Sequence, residues 1–190
     1  MAISDYTHAA LLLMDIQPGI IERLPNGADY LGQAKAAVNT AHKHNLPVIY
    51  VVVGFRSNFP EVSPNNQSFS SLKAAAHAGL IDPKPSIEPT GTDIVVTKRR
   101  VSAFAGSDLD IVLRAQGITH LILGGIATSG VVLSTVREAA DKDFQLTVVA
   151  DLCRDFDDQV HNILIEKVFP KQSAVCNLVD FTHSIEQLDK

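Results

Sequence analysis

The sequence predicts an α/β sandwich, a mostly parallel sheet with helices packed on both faces. Three observations carry this expectation. Its short apolar runs are continuous, not alternating, as strands buried on both faces require. Segments with apolar residues at helical spacing separate those runs. The length of 190 residues, with 46% hydrophobic and 19% charged content, suits a single buried core, so one domain spanning 1–190 is expected.

The elements follow in order. The first run, Ala9–Met14, ends at Asp15. Residues 29–44 carry Leu31, Ala34, Val38 and Ala41 at helical spacing, and Asn45 is suited to end that helix. Val48–Val53 is the second strand. The next stretch, 56–92, breaks the rhythm with Pro60, Pro64, Pro83, Pro85 and Pro89, and it exceeds ordinary connection lengths. It reads either as a surface excursion with one short helix over 70–78 or as a lid over a site. Residues 94–97 form the third strand, running into Lys98. A helix over 108–116 turns Leu109, Val112 and Leu113 inward, and Gly117 supplies its C-terminal turn.

The fourth strand, 121–123, leads to Gly124-Gly125, read as a turn. A helix over 129–143 follows, then the fifth strand at 146–149. The helix over 157–169 is stopped by Pro170, which has no N–H to donate. A weaker sixth run, 174–179, closes the series. The order of the strands in the sheet does not follow from the pattern.

Composition removes several function classes. A net charge of -5 argues against a general nucleic-acid surface, which carries a basic excess or stripe. The only basic cluster, Lys98-Arg99-Arg100, suffices for a local anion contact. The start Met1-Ala2-Ile3-Ser4-Asp5-Tyr6 lacks the pattern of a signal peptide, and the run to Met14 is too short for a membrane span. Cys153 and Cys176 form no CxxC, so a reduced, cytoplasmic setting is expected.

Three strand ends point to one place. In open parallel sheets, ligands bind beyond the carboxyl ends of the strands. Asp15, Lys98 and the stretch Gly125-Ile126-Ala127-Thr128-Ser129-Gly130-Val131-Val132 put a carboxylate, an amine and a helix start on that rim. Each has a plainer reading alone. Asp15 could cap a helix, Lys98 could be a solvated strand-end charge, and the glycines could serve packing, with Thr128 or Ser129 as a cap. The joint placement is what suggests a site. GxGxxG is absent, so no nicotinamide or flavin cofactor is expected.

At these residues a resemblance enters. Leu12-Leu13-Met14-Asp15-Ile16-Gln17, the segment Val95-Val96-Thr97-Lys98-Arg99-Arg100-Val101-Ser102-Ala103-Phe104, and Gly125-Ile126-Ala127-Thr128 followed by Val132-Leu133-Ser134-Thr135-Val136-Arg137-Glu138-Ala139 resemble the isochorismatase-like, or cysteine hydrolase, superfamily. The match continues through Ala150-Asp151-Leu152-Cys153 and His161 to Lys167-Val168-Phe169-Pro170. The resemblance implies a three-layer α/β/α sandwich with a six-stranded sheet, assembled as dimers or tetramers. It also implies an Asp, Lys and Cys triad in the nicotinamidase-type and carbamoylsarcosine-amidase-type members, and a cis peptide that maps to Ile126–Ala127.

Asp15 and Lys98 match the family's aspartate and lysine, but its cysteine falls on Val131. Backbone N–H groups of Ala127 and Val131 match the donors that hold an oxyanion. Valine has no nucleophilic atom, so the cysteine amidase route is closed, and Cys153 matches a structural cysteine of the family. True isochorismatases also lack the cysteine; there the aspartate protonates a vinyl ether and water completes hydrolysis. On that analogy Asp15 is a general acid, which burial favours and a close Lys98 opposes.

Three functions are consistent with these residues. The first is a small-molecule hydrolase using Asp15 and Lys98 without cysteine. The second is an amidohydrolase with a hydroxyl nucleophile, Thr128, Ser129 or Ser134. The third is a binding or scaffold protein that kept the fold. Gln17, Phe55, Arg56, Phe104 and Ser129 are candidates for substrate contact, with ordinary packing or exposure as the alternative for Phe55, Phe104 and Arg56. Residues 54–59 lack the histidine that nicotinamidases use for metal, and His42 and His44 share no helical face, so no metal is expected.

Overall fold

Six strands carry the fold: β1 (Ala9–Met14), β2 (Val48–Val53), β3 (Ile94–Lys98), β4 (His120–Ile126), β5 (Gln145–Arg154) and β6 (Ala174–Cys176). They form one sheet in the order β3-β2-β1-β4-β5-β6, and every neighbouring pair is parallel. The computed structural model describes residues 6–77 and 82–187. Seven helices accompany the strands among those residues: α1 (Pro18–Ile21), α2 (Gly27–Lys43), α3 (Gln67–His77), α4 (Leu109–Ala115), α5 (Leu133–Asp141), α6 (Asp158–Ile163) and α7 (Leu178–Glu186).

The period of two along each strand divides the core into two layers. Leu11 and Leu13 of β1 pack with Tyr30, Ala34, Ala37, Val38 and Ala41 of α2 and with Phe181 and Ile185 of α7. Ala10, Leu12 and Met14 face the other way, toward Leu109 and Leu113 of α4 and Val136 and Ala139 of α5. All six residues of β1 are buried, because helices cover both faces of the central strand. The expected sandwich is therefore what forms.

Several boundaries differ from the sequence reading, each for a physical reason. Gly124 and Gly125 are not a turn but lie inside β4. A Cβ on Gly125 would sit 2.7 Å from Met14 O, and one on Gly124 would sit 2.6 Å from Leu152 Cβ. These glycines let neighbouring chains approach, and the β4–β5 register shifts between Leu123 and Gly125.

The helix expected over 129–143 opens with a wide π turn, Thr128–Val132, before α5 begins. There the Val132 N–H reaches back five residues to Ala127 O, at 3.3 Å. The helix expected over 157–169 is broken into α6, a π turn at Leu164–Val168 and a 3₁₀ turn at Phe169–Lys171. Pro170 supplies no N–H, and its ring crowds the carbonyl four residues back.

The sixth strand is shorter than expected because Asn177 caps a helix: its side chain accepts from the Asp180 N–H at 2.7 Å. Within the proline-rich stretch, α3 starts at Gln67 rather than at Ser70, with the Asn66 side chain accepting from the Phe69 N–H; residue 78 of the expected helix lies outside the described residues. Among the described residues, no helix is long and apolar enough to cross a membrane.

Candidate active site

The strand order reverses between β1 and β4, and at that switch point the carboxyl ends of the strands diverge and leave a crevice. Asp15 is the first residue past β1. Its φ of 58° lies in the left-handed region, which aspartate tolerates better than most side chains. The Asp15 N–H still continues the ladder by donating to Val51 O (2.7 Å), and the Gln17 N–H folds back onto Asp15 O (2.9 Å). The chain thus turns sharply with the Asp15 side chain buried at its bend.

Lys98, the last residue of β3, is only 2% exposed. Its Nζ lies 2.9 Å from Asp15 Oδ2 and donates to the carbonyl oxygens of Arg100 and Val101, both at 3.0 Å. An ammonium has three N–H groups, so all of them are engaged within the protein. Lys98 is therefore a fixed charge, not a mobile ligand.

Asp15 Oδ1 is buried and makes no hydrogen bond among the described residues. The nearby Val53 N–H gives its hydrogen bond to Gln17 Oε1, at 2.8 Å. Burial pushes the Asp15 carboxyl above its ordinary range, while the charge of Lys98 pulls it down less strongly.

A cavity of about 230 Å³ opens over this pair. Asp15 and Lys98 form its buried end, and Ile20, Val53, Phe69, Leu72, Val101, Ile126, Val131 and Phe156 line it with apolar surface. Arg23 and Ser68 are its exposed polar members. The turn after β4 forms one wall. Its Ile126–Ala127 peptide is cis, and Val131, buried to 2% exposure, borders the same space as Asp15.

The turn is held from several sides. The Gly130 N–H donates to Ala127 O at 3.1 Å, the Ser129 N–H donates to Asp155 Oδ2 at 2.7 Å, and Thr128 Oγ1 pairs with His161 Nδ1 at 2.8 Å. Burial and the charge of Arg154 lower the His161 pKa, which favours the neutral ring. Thr128 is fully buried. None of Thr128, Ser129 and Ser134 is among the residues lining the cavity.

The structure brings Asp15, Lys98, Ala127 and Val131 together, as the motifs imply. It places the five candidates for substrate contact elsewhere. Gln17 is 1% exposed, and its amide clamps β2 to the chain after α3 by donating to Val53 O (3.1 Å) and to Asp82 O. Phe55 packs against Phe59 and Phe69 with ring centres 5.7 and 5.6 Å away, so it backs the cavity wall without reaching the cavity. Arg56 is exposed and pairs with Glu61 at 3.5 Å. Phe104 is buried against Phe144. Ser129 uses its backbone to bind Asp155.

The residues that sequence reasoning missed are Arg23, Phe69, Leu72, Val101 and Phe156. They come from α3 and from connecting segments, the latter without a periodic signal. The available hint was position: Phe156 follows the carboxyl end of β5, where ligands of parallel sheets bind.

Cys153 is fully buried among apolar side chains of the α5 layer. Burial pushes its thiol up to about 12, which suits a packing role and not a nucleophile. Among the described residues, no group of three His, Cys, Asp or Glu side chains is arranged to hold a metal ion.

A parallel three-layer sandwich with a small cavity at its switch point defines the class of doubly wound α/β proteins. Within that class, the chain belongs to the isochorismatase family, whose domain model matches residues 9–180. YwoC of Bacillus subtilis, an isochorismatase family protein, is 33% identical over 171 residues, which cover 88% of each chain. The ureidoacrylate amidohydrolase RutB of Stutzerimonas stutzeri is 28% identical over 175 residues, covering 84% of this chain and 67% of that one. The solved structure of an isochorismatase family protein from Burkholderia thailandensis superposes with a TM-score of 0.78 at 28% identity, over 94% of this chain and 96% of that chain.

Proposed function

We propose that this protein hydrolyses a small molecule without a cysteine nucleophile, with Asp15 as general acid and base and Lys98 as its electrostatic partner. The observation that carries the reading is the 2.9 Å contact of Lys98 Nζ with Asp15 Oδ2 at the buried end of a cavity whose wall includes Val131. In this reading Val131 occupies the position of the nucleophile, and water supplies the attacking oxygen.

The roles follow from the geometry. Lys98 holds Oδ2, and the catalytic proton resides on the Asp15 carboxyl. Burial keeps that proton on the carboxyl to higher pH than usual, as a general acid requires. Asp15 protonates the substrate, water adds to the cation so formed, and the proton that water loses returns to the Asp15 carboxylate. The carbon–oxygen bond of the hemiketal then breaks as Asp15 gives a proton to the leaving oxygen and takes one from the hemiketal hydroxyl, which becomes the carbonyl, so the carboxyl ends protonated as it began. The backbone N–H groups of Ala127 and Val131 are the donors for negative charge that develops on a substrate oxygen.

The protein would act as a single domain, 1–190, in the cytoplasm as a homodimer or homotetramer, with no cofactor, metal, nucleic acid or membrane partner. The two free cysteines, one of them buried, support the reduced compartment. Sedimentation at micromolar protein tests the assembly, and a clean monomer contradicts it.

A second reading, a binding or scaffold protein, is favoured by Val131 alone. Turnover of a panel of enol ethers and small amides by wild type and Asp15→Asn separates the two. Asp15-dependent hydrolysis supports the enzyme. Saturable binding with identical, background-level turnover in both proteins supports the scaffold.

A further inference from the structure

We infer that Arg23 is the anion anchor of the cavity, holding the carboxylate of a small ligand whose apolar body fills the space between Phe69, Leu72, Val101, Val131 and Phe156. The inference rests on the cavity being the substrate site, and it adds the ligand's chemical class and the residue that selects it.

Four other cations near the site are already engaged. Lys98 has all three N–H groups engaged by Asp15, Arg100 and Val101. Arg99 donates to Gly54 O and pairs with Glu61. Arg100 donates to Arg99 O and Glu61 O. Arg56, the sequence's candidate for a carboxylate contact, is outside the cavity and paired with Glu61. Arg23 differs from all of them. It lines the cavity, and no acceptor among the described residues takes a hydrogen bond from its guanidinium.

Its guanidinium does have a fixed place. Arg23 Cζ lies 5.1 Å from the centre of the Phe156 ring, and Phe156 also lines the cavity. Stacking on an aromatic face orients the guanidinium and leaves its N–H edge open for a bidentate acceptor. A carboxylate matches that fork. One arginine at the mouth suits one carboxylate, because the apolar walls further in offer no partner for a second charge.

The electrostatics agree. Lys98 leaves the buried end neutral when Asp15 is ionised and cationic when it is protonated, so no net negative charge from that pair opposes an anion at Arg23. A ligand anchored there by its carboxylate points its far end at Asp15. The apolar walls select a compact, unsaturated or aromatic body over a polyhydroxylated one.

The test uses benzoate and its neutral counterpart benzamide, which are alike in size and shape. Binding is followed by methyl NMR, with shifts of Ile20, Leu72 and Val131 methyls reporting occupancy of the cavity. Benzoate should bind at least about tenfold more tightly than benzamide, the preference expected of a charge-assisted contact. Arg23→Gln should reduce that preference to within about twofold, by weakening benzoate and leaving benzamide unchanged. Arg23 is exposed, so the substitution leaves the core intact. Equal binding of the two probes by wild type overturns the inference, as does an undiminished preference in Arg23→Gln or a response confined to methyls outside the cavity. Neither probe needs to be turned over, so this result and Asp15-dependent hydrolysis fail or stand separately.

Discussion

Met14 and Gly125 are register partners across the β1–β4 pair. That one relationship puts Asp15, the next residue on one chain, beside the Ile126–Ala127 peptide on the other. On the far side of β1, Met14 is in register with Val51 of β2 and Val53 with Lys98 of β3. The lysine must therefore reach across β2 to meet the acid. A long aliphatic stem with an ammonium at its tip suits that span, and burial of the stem makes the resulting ion pair rigid. Sheet register, more than any local motif, assembles the site.

Removing the carboxyl tests the proposed chemistry first. Asp15→Asn should lower kcat/KM by about 10²–10⁴-fold, the usual contribution of a positioned acid or base, while the fold is retained by circular dichroism. An unchanged rate on a substrate that wild type hydrolyses would falsify the role.

The pH profile follows from the direction of the Asp15 shift. Burial raises the folded-state pKa above the ordinary 3.8, so the acid form persists to higher pH. Activity that needs the proton is present below the folded-state pKa and lost as pH rises through it. Stability has the same sign: the group's contribution is fully present below the unfolded value and lost as pH rises through the folded one. Asp15→Asn should remove this pH-dependent loss of stability, which urea denaturation at a series of pH values measures.

Breaking the pair from the other side should be costly. Lys98→Met leaves the Asp15 carboxyl buried without its partner and the carbonyls of Arg100 and Val101 without their donor. A loss of about 3–5 kcal/mol at pH 7 is expected. The deficit should shrink at lower pH, where Asp15 is neutral, and it should be smaller in an Asp15→Asn background. Additive losses in the double mutant would contradict direct coupling.

Val131→Cys restores a thiol where the resemblance places one. Because Val131 borders the same cavity as Asp15 and Lys98, the introduced thiol should be alkylated by iodoacetamide at least about tenfold faster than the native cysteines. Adding Asp15→Asn should slow that reaction. Labelling no faster than at the native cysteines would count against assigning the nucleophile position to Val131.

The native cysteines should be nearly inert in the folded protein. With the Cys153 thiol pushed up to about 12 by burial, its thiolate fraction at pH 8 is about one part in ten thousand. Burial likewise raises Cys176, to about 11. A thiol reagent such as Ellman's should titrate both groups only in urea, and fast labelling of Cys153 at pH 8 would contradict this burial.

Much of the fold was legible in the chain itself. Continuous runs such as Ala9–Met14 and Val48–Val53 match β1 and β2 residue for residue, because strands covered on both faces leave no polar position to blur their ends. Gly124 and Gly125 misled because glycine is read as a turn residue. Here it marks close approach to Met14 and Leu152, which no local pattern records. Asn177 caps α7 through the Asp180 N–H, and Phe181 and Ile185 are its buried residues. Its signal overlapped the end of the sixth apolar run and was read as strand.

The sequence by itself determined the layered parallel architecture, because hydrophobic periodicity is local and binding crevices of such sheets lie at their carboxyl ends. It also named Asp15, Lys98 and the turn up to Val131, since each directly follows or ends a strand. Tertiary structure alone decided the strand order and the contact of Lys98 with Asp15. It also decided that the cavity wall comes from Arg23, Phe69 and Phe156 and not from Gln17, Arg56 or Phe104. The physical reason is that a cavity is bounded by side chains distant in sequence, whose meeting depends on register and crossover paths. A chain shows which residues end a strand; only packing shows which of them face the same space.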